Sequence, residues 1–388
     1  MTRRLPYLRV VTVGGYLCGI LLSPHLWFGT GRSIPRIALI AATPDSFWIA
    51  EIPLSILLCT ALLLCLFSAR SRYLVATAVL TALLVLLDLT RLQPWVYQYA
   101  LALTTVAFAK THEDNKALNE AVVIANQLIV ASLYFWSGIQ KLNWTFAHEV
   151  FPGLLENAGI HLNSSLLPRI AIAIALVEAL TGIGLLIPKT RRSAIMLAMV
   201  LHLSVLVLLI LARANTVVWP WNIAMLVIVP ILFWRFQGSI VRSDIWRWPS
   251  TKVANYLPKT VIVLCTIAPV FSFAGWWDLN ISAALYAGIA PVAVVRVNDQ
   301  VLAQVSDAAR EQVFASSRGE VLLPLHEWSM RELNVPPYPE VRTYRQLSRK
   351  ICTLANNSED VELIVRSRPQ ITNSSYTVSR EDCTALLK

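Results

Sequence analysis

The sequence predicts a polytopic, all-α membrane domain followed by a small C-terminal extracytoplasmic α+β domain. Three observations predict it. Of 388 residues, 56% are hydrophobic and only 14% charged, where soluble chains average about 25% charged. Apolar runs near the roughly 20 residues that cross a bilayer recur as far as residue 277. Beyond residue 278 the character changes: twelve Lys/Arg and twelve Asp/Glu cancel, and strand and turn signals replace the long apolar runs.

The first 278 residues divide into about nine spans: Leu8–Phe28, Phe47–Phe67, Tyr73–Thr90, Pro94–Ala109, Ala121–Gln140, Leu167–Pro188, Ala194–Leu211, Val217–Trp234 and Thr260–Trp277. The runs are continuous rather than alternating, so helices are expected and not a barrel. The fourth is short and polar, which suits a tilted or partly inserted helix. The N-terminus carries Arg3 and Arg4 before its apolar run, like a signal peptide, but the run is long and lacks a clear small-residue cleavage site. It reads as a retained span.

The whole net charge of +10 lies in residues 1–278. Placing the N-terminus in the cytoplasm puts Arg3, Arg4, Arg70, Arg72, Lys110, Lys116, Lys189, Arg191, Arg192 and the basic residues of 235–259 inside. The loop Leu142–Leu166 has neither Lys nor Arg and falls outside. The bias selects a cell-membrane protein with a cytoplasmic N-terminus and an extracytoplasmic C-terminal domain. Arg32, Arg36, Arg91 and Arg213 are the exceptions on the outer side. The charge pattern shows no basic patch interleaved with aromatics, so nucleic acid is not an expected partner.

Residues 279–388 read as a soluble domain. Val292–Asn298 is a β-branched strand ending in an Asn-Asp turn, and Val361–Arg366 alternates similarly. Glu340–Leu354 has helical amphipathic spacing, and Pro336-Pro-Tyr-Pro339 is a rigid connector. Of six cysteines, Cys18, Cys59, Cys65 and Cys265 lie in apolar spans. Cys352 and Cys383 are alone in the outer domain, and a disulfide between them is expected there. No metal-ligand spacing occurs, so no metal site is expected.

Few ionisable or strongly polar residues fall within spans. Glu51, Asp88 and Lys141 lie in outer halves, Gln98 and Asn222 there or near the midplane, and Glu178 and His202 near the midplane. Such residues face a bundle interior or a wet cavity, and their depths suggest one polar chamber open to the outside. The structural reading of the same residues pairs Asp88 with Arg91, makes Glu51 a helix-end charge and His202 a satisfied core histidine. Trp136 and Trp221 are either interfacial belt residues or walls of an apolar pocket.

The helix and exit Asn126–Trp144 organise the chain. Gly138 lets another backbone approach, and Lys141 closes the run. A lysine there either snorkels to the headgroups or sits desolvated in a cavity, where a neutral amine acts as a base. Tyr134-Phe-Trp-Ser-Gly-Ile-Gln-Lys-Leu142 resembles the Y-F-x-x-G-x-x-K-L segment of vitamin K-dependent gamma-carboxylases and their HTTM (horizontally transferred transmembrane) relatives. Leu201–Ser204 and Trp219–Asn222 are similar in placement to that family's histidine-bearing helix and the aromatic-polar helix after it. Trp95–Tyr99 resembles a segment that carries a functional histidine, with Gln98 in its place. Glutamine exchanges no proton near neutral pH, a departure that weakens the implied carboxylation.

The resemblance implies an enzyme in which Lys141 deprotonates a reduced, vitamin K-like quinone, with His202 as a second catalytic group. It implies that Trp136, Gln98, Trp221 and Asn222 wall the cofactor and that a protein or peptide is the substrate. The alternative class is a non-catalytic membrane protein whose outer domain is a binding or protective module. A transporter is a third class, disfavoured by the lack of internal symmetry.

Overall fold

A computed structural model describes residues 4–40, 45–109, 116–234, 236, 252–317, 319–367 and 376–388. Its first part is a helical bundle: α1 (Arg4–Leu22), α2 (Pro24–Phe28), α3 (Glu51–Phe67), α4 (Ser71–Leu87), α5 (Pro94–Val106), α6 (Lys116–Gln140), α7 (Phe151–Asn157), α8 (Leu167–Leu186), α9 (Arg191–Leu211), α10 (Trp219–Phe233) and α11 (Lys252–Val261). A π-helical turn and a 3₁₀ turn carry α11 on to Ala274. The Lys110 and most of the 235–259 basic residues expected on the inner side lie outside the described residues.

Seven helices of the described residues are long and apolar enough to span a membrane: Arg4–Leu22, Phe47–Phe67, Lys116–Gln140, Leu167–Leu186, Arg191–Leu211, Thr216–Phe233 and Tyr256–Ala274. Nine spans were expected, and seven candidates are found among the described residues. The run 8–28 breaks at Ser23, where Pro24 begins a separate short helix, so the first span starts earlier, at Arg4. Helix α4 has 17 residues and α5 has 13. At 1.5 Å per residue α5 reaches only about 20 Å of a roughly 30 Å core. Helix α4, at 17 residues, stands at the lower end of the spanning range, and the short fourth segment is the 13-residue α5.

The centre of the bundle is α6. Of its apolar window 83% is buried, against 22–56% for the other six spans. Helix α8 lies directly on it. A Cβ on Gly138 would fall 2.4 Å from the Ala179 nitrogen and 2.5 Å from the Ala175 oxygen, and one on Gly182 would fall 2.5 Å from the Ala131 oxygen. The small residues at 138, 175, 179 and 182 are thus what lets the two backbones touch, the usual device where lipid supplies no hydrophobic drive between helices. A second packed centre joins Tyr16, Trp27, Trp95 and Tyr99 through edge and tilted ring contacts 5.8–6.3 Å apart.

The C-terminal part is a five-stranded antiparallel sheet with helices packed on one face. Its strands are β1 (Val292–Val297), β2 (Phe314–Ala315), β3 (Val321–Pro324), β4 (Val361–Ser367) and β5 (Thr377–Asp382), in the order β2-β3-β1-β4-β5. Val294 pairs with Pro324 on one side and Ile364 on the other. Alternation puts Ala293, Val295 and Val297 of β1 and Val361, Leu363 and Val365 of β4 on the buried face. Helices α12 (Asp299–Gln304), α13 (Asp307–Arg310), α14 (Leu325–Leu333), α15 (Val341–Cys352) and α16 (Cys383–Leu387) complete the domain. Tyr344, Leu347 and Ile351 of α15 face the sheet, while Arg345 points out to Glu381. A disulfide joins Cys352 at the end of α15 to Cys383 at the start of α16.

The sheet domain is tied to one end of the bundle. Asn334, in a left-handed conformation at the end of α14, donates to the Leu22 carbonyl and to Thr216 Oγ1, both at 2.8 Å. Glu332 accepts from the Ser33 and Ile34 amides at 2.8 and 2.7 Å and from the Ser33 hydroxyl. Gln93 donates to the Pro336 carbonyl at 3.1 Å, and Tyr338 and Arg342 both bind Asp278. Arg4 bonds the Leu232 and Trp234 carbonyls and Arg191 the Phe236 carbonyl at the opposite end.

Candidate functional site

Lys141 lies just past the last turn of α6, and its side chain reaches back along the helix. Nζ donates to Ser137 Oγ at 2.8 Å and to Glu178 Oε2 of α8 at 2.6 Å. The two side chains are 11% and 16% exposed, so neither reaches freely to the headgroups. The long stem bridges the helix-end position of Lys141 and the mid-helix position of Glu178. The close crossing at Gly138 and Gly182 brings the two within reach.

One turn deeper, the Tyr134 ring meets the His202 ring of α9 edge-on at 5.5 Å. His202 Nδ1 lies 2.9 Å from Asn222 Oδ1. The Asn222 amide nitrogen is already committed to the Val218 carbonyl. Asn222 therefore offers an oxygen, which assigns the Nδ1 proton to His202. His202 Nε2 and the Tyr134 hydroxyl are buried without a hydrogen-bond partner among the described residues. Gln98 of α5 accepts from Trp221 Nε1 at 2.7 Å and donates to Met225 Sδ at 3.1 Å. Trp136 donates to the Thr266 carbonyl at 3.1 Å.

The structure thus joins Lys141 to Glu178, His202 to Asn222, and Gln98 to Trp221. Trp136 and Gln98 share a small cavity with Tyr97, Ser132 and Cys265. Its volume is about 30 Å³, roughly the space of one water, whereas sites for drug-sized ligands run from about 300 Å³. That volume lends no support to a quinone seat.

A second set of charges sits nearer the sheet domain. Glu51 binds Arg91 and, at 2.7 Å, Arg36. Asp88 binds Arg32 at 2.5 Å and also caps Thr90. Arg91 further donates to the Leu26 and Leu84 carbonyls. The expected Asp88–Arg91 pair is therefore corrected: the chain turn at 88–91 aims the two side chains at different partners. Three of the four arginines that broke the positive-inside pattern are neutralised in this set. Spacing within a helix cannot reveal such pairs, because their partners lie 15 to 56 residues apart.

These features define an integral, multi-pass membrane protein with a small sheet domain. A family model described as methylamine utilisation protein MauE matches residues 119–218, about a quarter of the chain. The matched segment runs from α6 through α8 and α9, so it contains Lys141, Glu178 and His202 but stops short of Trp221 and Asn222. No curated protein and no solved structure matches the chain.

The match corrects the resemblance to the HTTM and gamma-carboxylase families, because the segment that carried it, Tyr134–Leu142, falls inside the MauE-like region. The physical reason is plain in the packing. Gly138 is required by the approach of α8, and Lys141 is partnered by Glu178. The glycine and the lysine of that nine-residue pattern thus have a packing explanation of their own.

Proposed function

We propose that the chain is a non-catalytic multi-pass membrane protein whose bundle serves as a rigid mount for an extracytoplasmic binding module, the sheet domain. The observation that carries this reading is the engagement of Lys141, the residue best suited to act as a base, in an ion pair with Glu178 across a backbone-to-backbone helix contact. Such a pair fixes the register of two helices, a use of buried charge attested elsewhere. The MauE-like likeness covers the same helices.

The orientation in this proposal has the N-terminus in the cytoplasm. Arg4 and Arg191 lie at the end of the bundle away from the sheet domain, which supports that choice. The Cys352–Cys383 disulfide supports an oxidising compartment for the sheet domain.

The test is a complementation assay built on a deletion phenotype. A mount tolerates removal of both charges at once, so Lys141→Met with Glu178→Met retains function once membrane levels are matched. A catalytic lysine does not survive that exchange. Loss of function by a double variant that is inserted and folded at parental levels overturns the proposal.

A further inference from the structure

At the end of the bundle away from the sheet domain, α1, α3 and α4 carry positive charge that nothing balances. Residues 1–44 and 52–87 contain no Asp or Glu. Arg9 of α1 is only 8% exposed. Its Nε and Nη1 are closed off by packing and have no hydrogen-bond partner among the described residues. Nη2 has no partner there either, and it is the nitrogen that keeps accessible surface. At the other end Glu51 and Asp88 neutralise Arg36, Arg91 and Arg32. Arg9 meets no such carboxylate among the described residues. Burying a cation without an anion costs several kcal/mol, and a guanidinium cannot escape by losing its proton. Charges within spans are normally paired.

The neighbouring helices fix where Arg9 points. Arg91 gathers the Leu26 carbonyl just beyond α1 and the Leu84 carbonyl near the end of α4. Tyr16 Oη lies 3.0 Å from Thr81 Oγ1. Helices α1 and α4 thus run side by side in the same direction. Seven residues before that contact, Arg9 stands level with Leu74, about 10 Å nearer the helix starts. A helical side chain leans toward the N-terminus and covers the preceding turn. The guanidinium therefore lies over residues 71–74, the first turn of α4. Cys65 of α3, whose Sγ is 3.9 Å from Thr77 Oγ1, is within range of the same charge. That turn is itself electropositive. It opens a 17-residue helix with no side-chain cap. The amides of Ser71 and Arg72 have no acceptor among the described residues. Arg70 and Arg72 are exposed beside them. Free amides at a helix start attract anions, and Arg9 adds a fixed charge to them.

We infer that Arg9 and the start of α4 bind a phosphate group, either the headgroup phosphate of an acidic phospholipid or free phosphate. Arg9 Nη2 and the Ser71 and Arg72 amides donate to its oxygens, and Arg70 and Arg72 hold its charge from the rim. A phosphate accepts several such bonds at once, and a guanidinium is the side chain that suits it. The depth suits a lipid: Arg4–Leu22 is a candidate span, and the start of a span lies at headgroup level. The surplus of cations repels the ammonium of a zwitterionic headgroup, so glycerol is preferred to choline. The inference is independent of the non-catalytic reading and of the orientation, because lipid phosphates line both faces of a bilayer.

The test uses the full chain. Native mass spectrometry from detergent compares retention of phosphatidylglycerol with phosphatidylcholine. In parallel, thermal unfolding of lipid-stripped protein is followed in inorganic phosphate against sodium chloride at equal ionic strength. Selective retention of phosphatidylglycerol assigns the headgroup, phosphate-specific stabilisation assigns the free anion, and either supports the site. Arg9→Met keeps a long stem and removes an unpaired buried charge, a change that favours folding. Its binding weakens about tenfold. Ser71→Pro removes the first amide at a position where proline starts a helix well, and binding weakens several-fold. Arg192→Gln, exposed at the same end, controls for general surface charge and stays within about twofold of the parent. Absence of both signals in the parent protein overturns the inference. So does unchanged binding by folded Arg9→Met or Ser71→Pro protein, or a loss in Arg192→Gln as large as that in Arg9→Met.

Discussion

Lys141 Nζ and Glu178 Oε2 meet at 2.6 Å beside the contact where Gly138 lays the backbone of α6 against that of α8. Removing one charge strands the other in a poorly solvated place. Lys141→Met and Glu178→Met are each expected to cost roughly 3 kcal/mol. The double variant is expected to cost less than the sum, with a coupling of about 1 to 3 kcal/mol. Unfolding in mixed micelles measures all three. Strict additivity would show that the pair contributes nothing as a pair.

The contact itself has a sharper test. Gly138→Ala places a methyl group on α8 backbone atoms that cannot rotate away, and is expected to cost about 1 to 3 kcal/mol. Gly14 in α1 is the control, because a Cβ there meets nothing within 4 Å. Gly14→Ala should be neutral or slightly stabilising. Melting temperatures of the two variants should move apart, and equal shifts would refute the close crossing.

The Cys352–Cys383 bond closes a loop with a sequence separation of 31. In the chain-entropy model such a closure contributes about 3 to 4 kcal/mol. Cys352→Ser and Cys383→Ser should each lower the stability of the sheet domain by that order. Peptide mass mapping after alkylation of native membranes without reductant should find neither cysteine modified. Two alkylated thiols would place the domain in a reducing compartment and reverse the proposed orientation.

Docking of the sheet domain should respond to acid. Burial disfavours the charge on Glu332, but bonds from the Ser33 hydroxyl, the Ile34 amide, the Trp328 indole and the Ser33 amide outweigh it and hold the carboxyl below its ordinary range. A carboxyl lowered on folding contributes stability above its unfolded pKa, about 4.3. The contribution is lost as pH falls through the lower folded value. Hydrogen exchange in 22–34 and 325–335, corrected for its intrinsic pH dependence, should therefore speed up below about pH 4. Glu332→Ala should show the faster exchange already at neutral pH. A corrected rate that stays flat down to pH 3 would remove Glu332 from the docking contact.

Apolar run length exposed the bundle, because a bilayer demands long uninterrupted hydrophobic helices whatever their neighbours are. Period-two alternation exposed β1 and β4, and helical spacing exposed α15, since each has one face on a core. The same signals missed the break at Pro24, which divides an apolar run, while the segment read as short and tilted or partly inserted is the 13-residue α5. Polar residues could be placed by depth but not by partner. Glu178 and Lys141 differ in depth, and only the length of a lysine stem with a turn of helix reconciles them. Arg91 stood one turn from Asp88 yet joins Glu51, 40 residues away. A cavity at Glu340, lined also by Gln140, Ser272 and Ile289, had no signal, because its walls come from four separate stretches.

Ser33 and Glu332 are 299 residues apart, and Leu22 and Asn334 are 312 apart. A ribosome adds about 5 to 20 residues per second, so the first loop of the bundle waits roughly 15 to 60 s for its partner. Every candidate span named above leaves the ribosome before the rim receives these contacts. The sheet domain therefore seats on spans that have already been made. A chain ended before residue 325 exposes the uncapped rim to quality-control proteases. In a pulse–chase it should be cleared faster than the full chain, and equal half-lives would show that seating is not inspected.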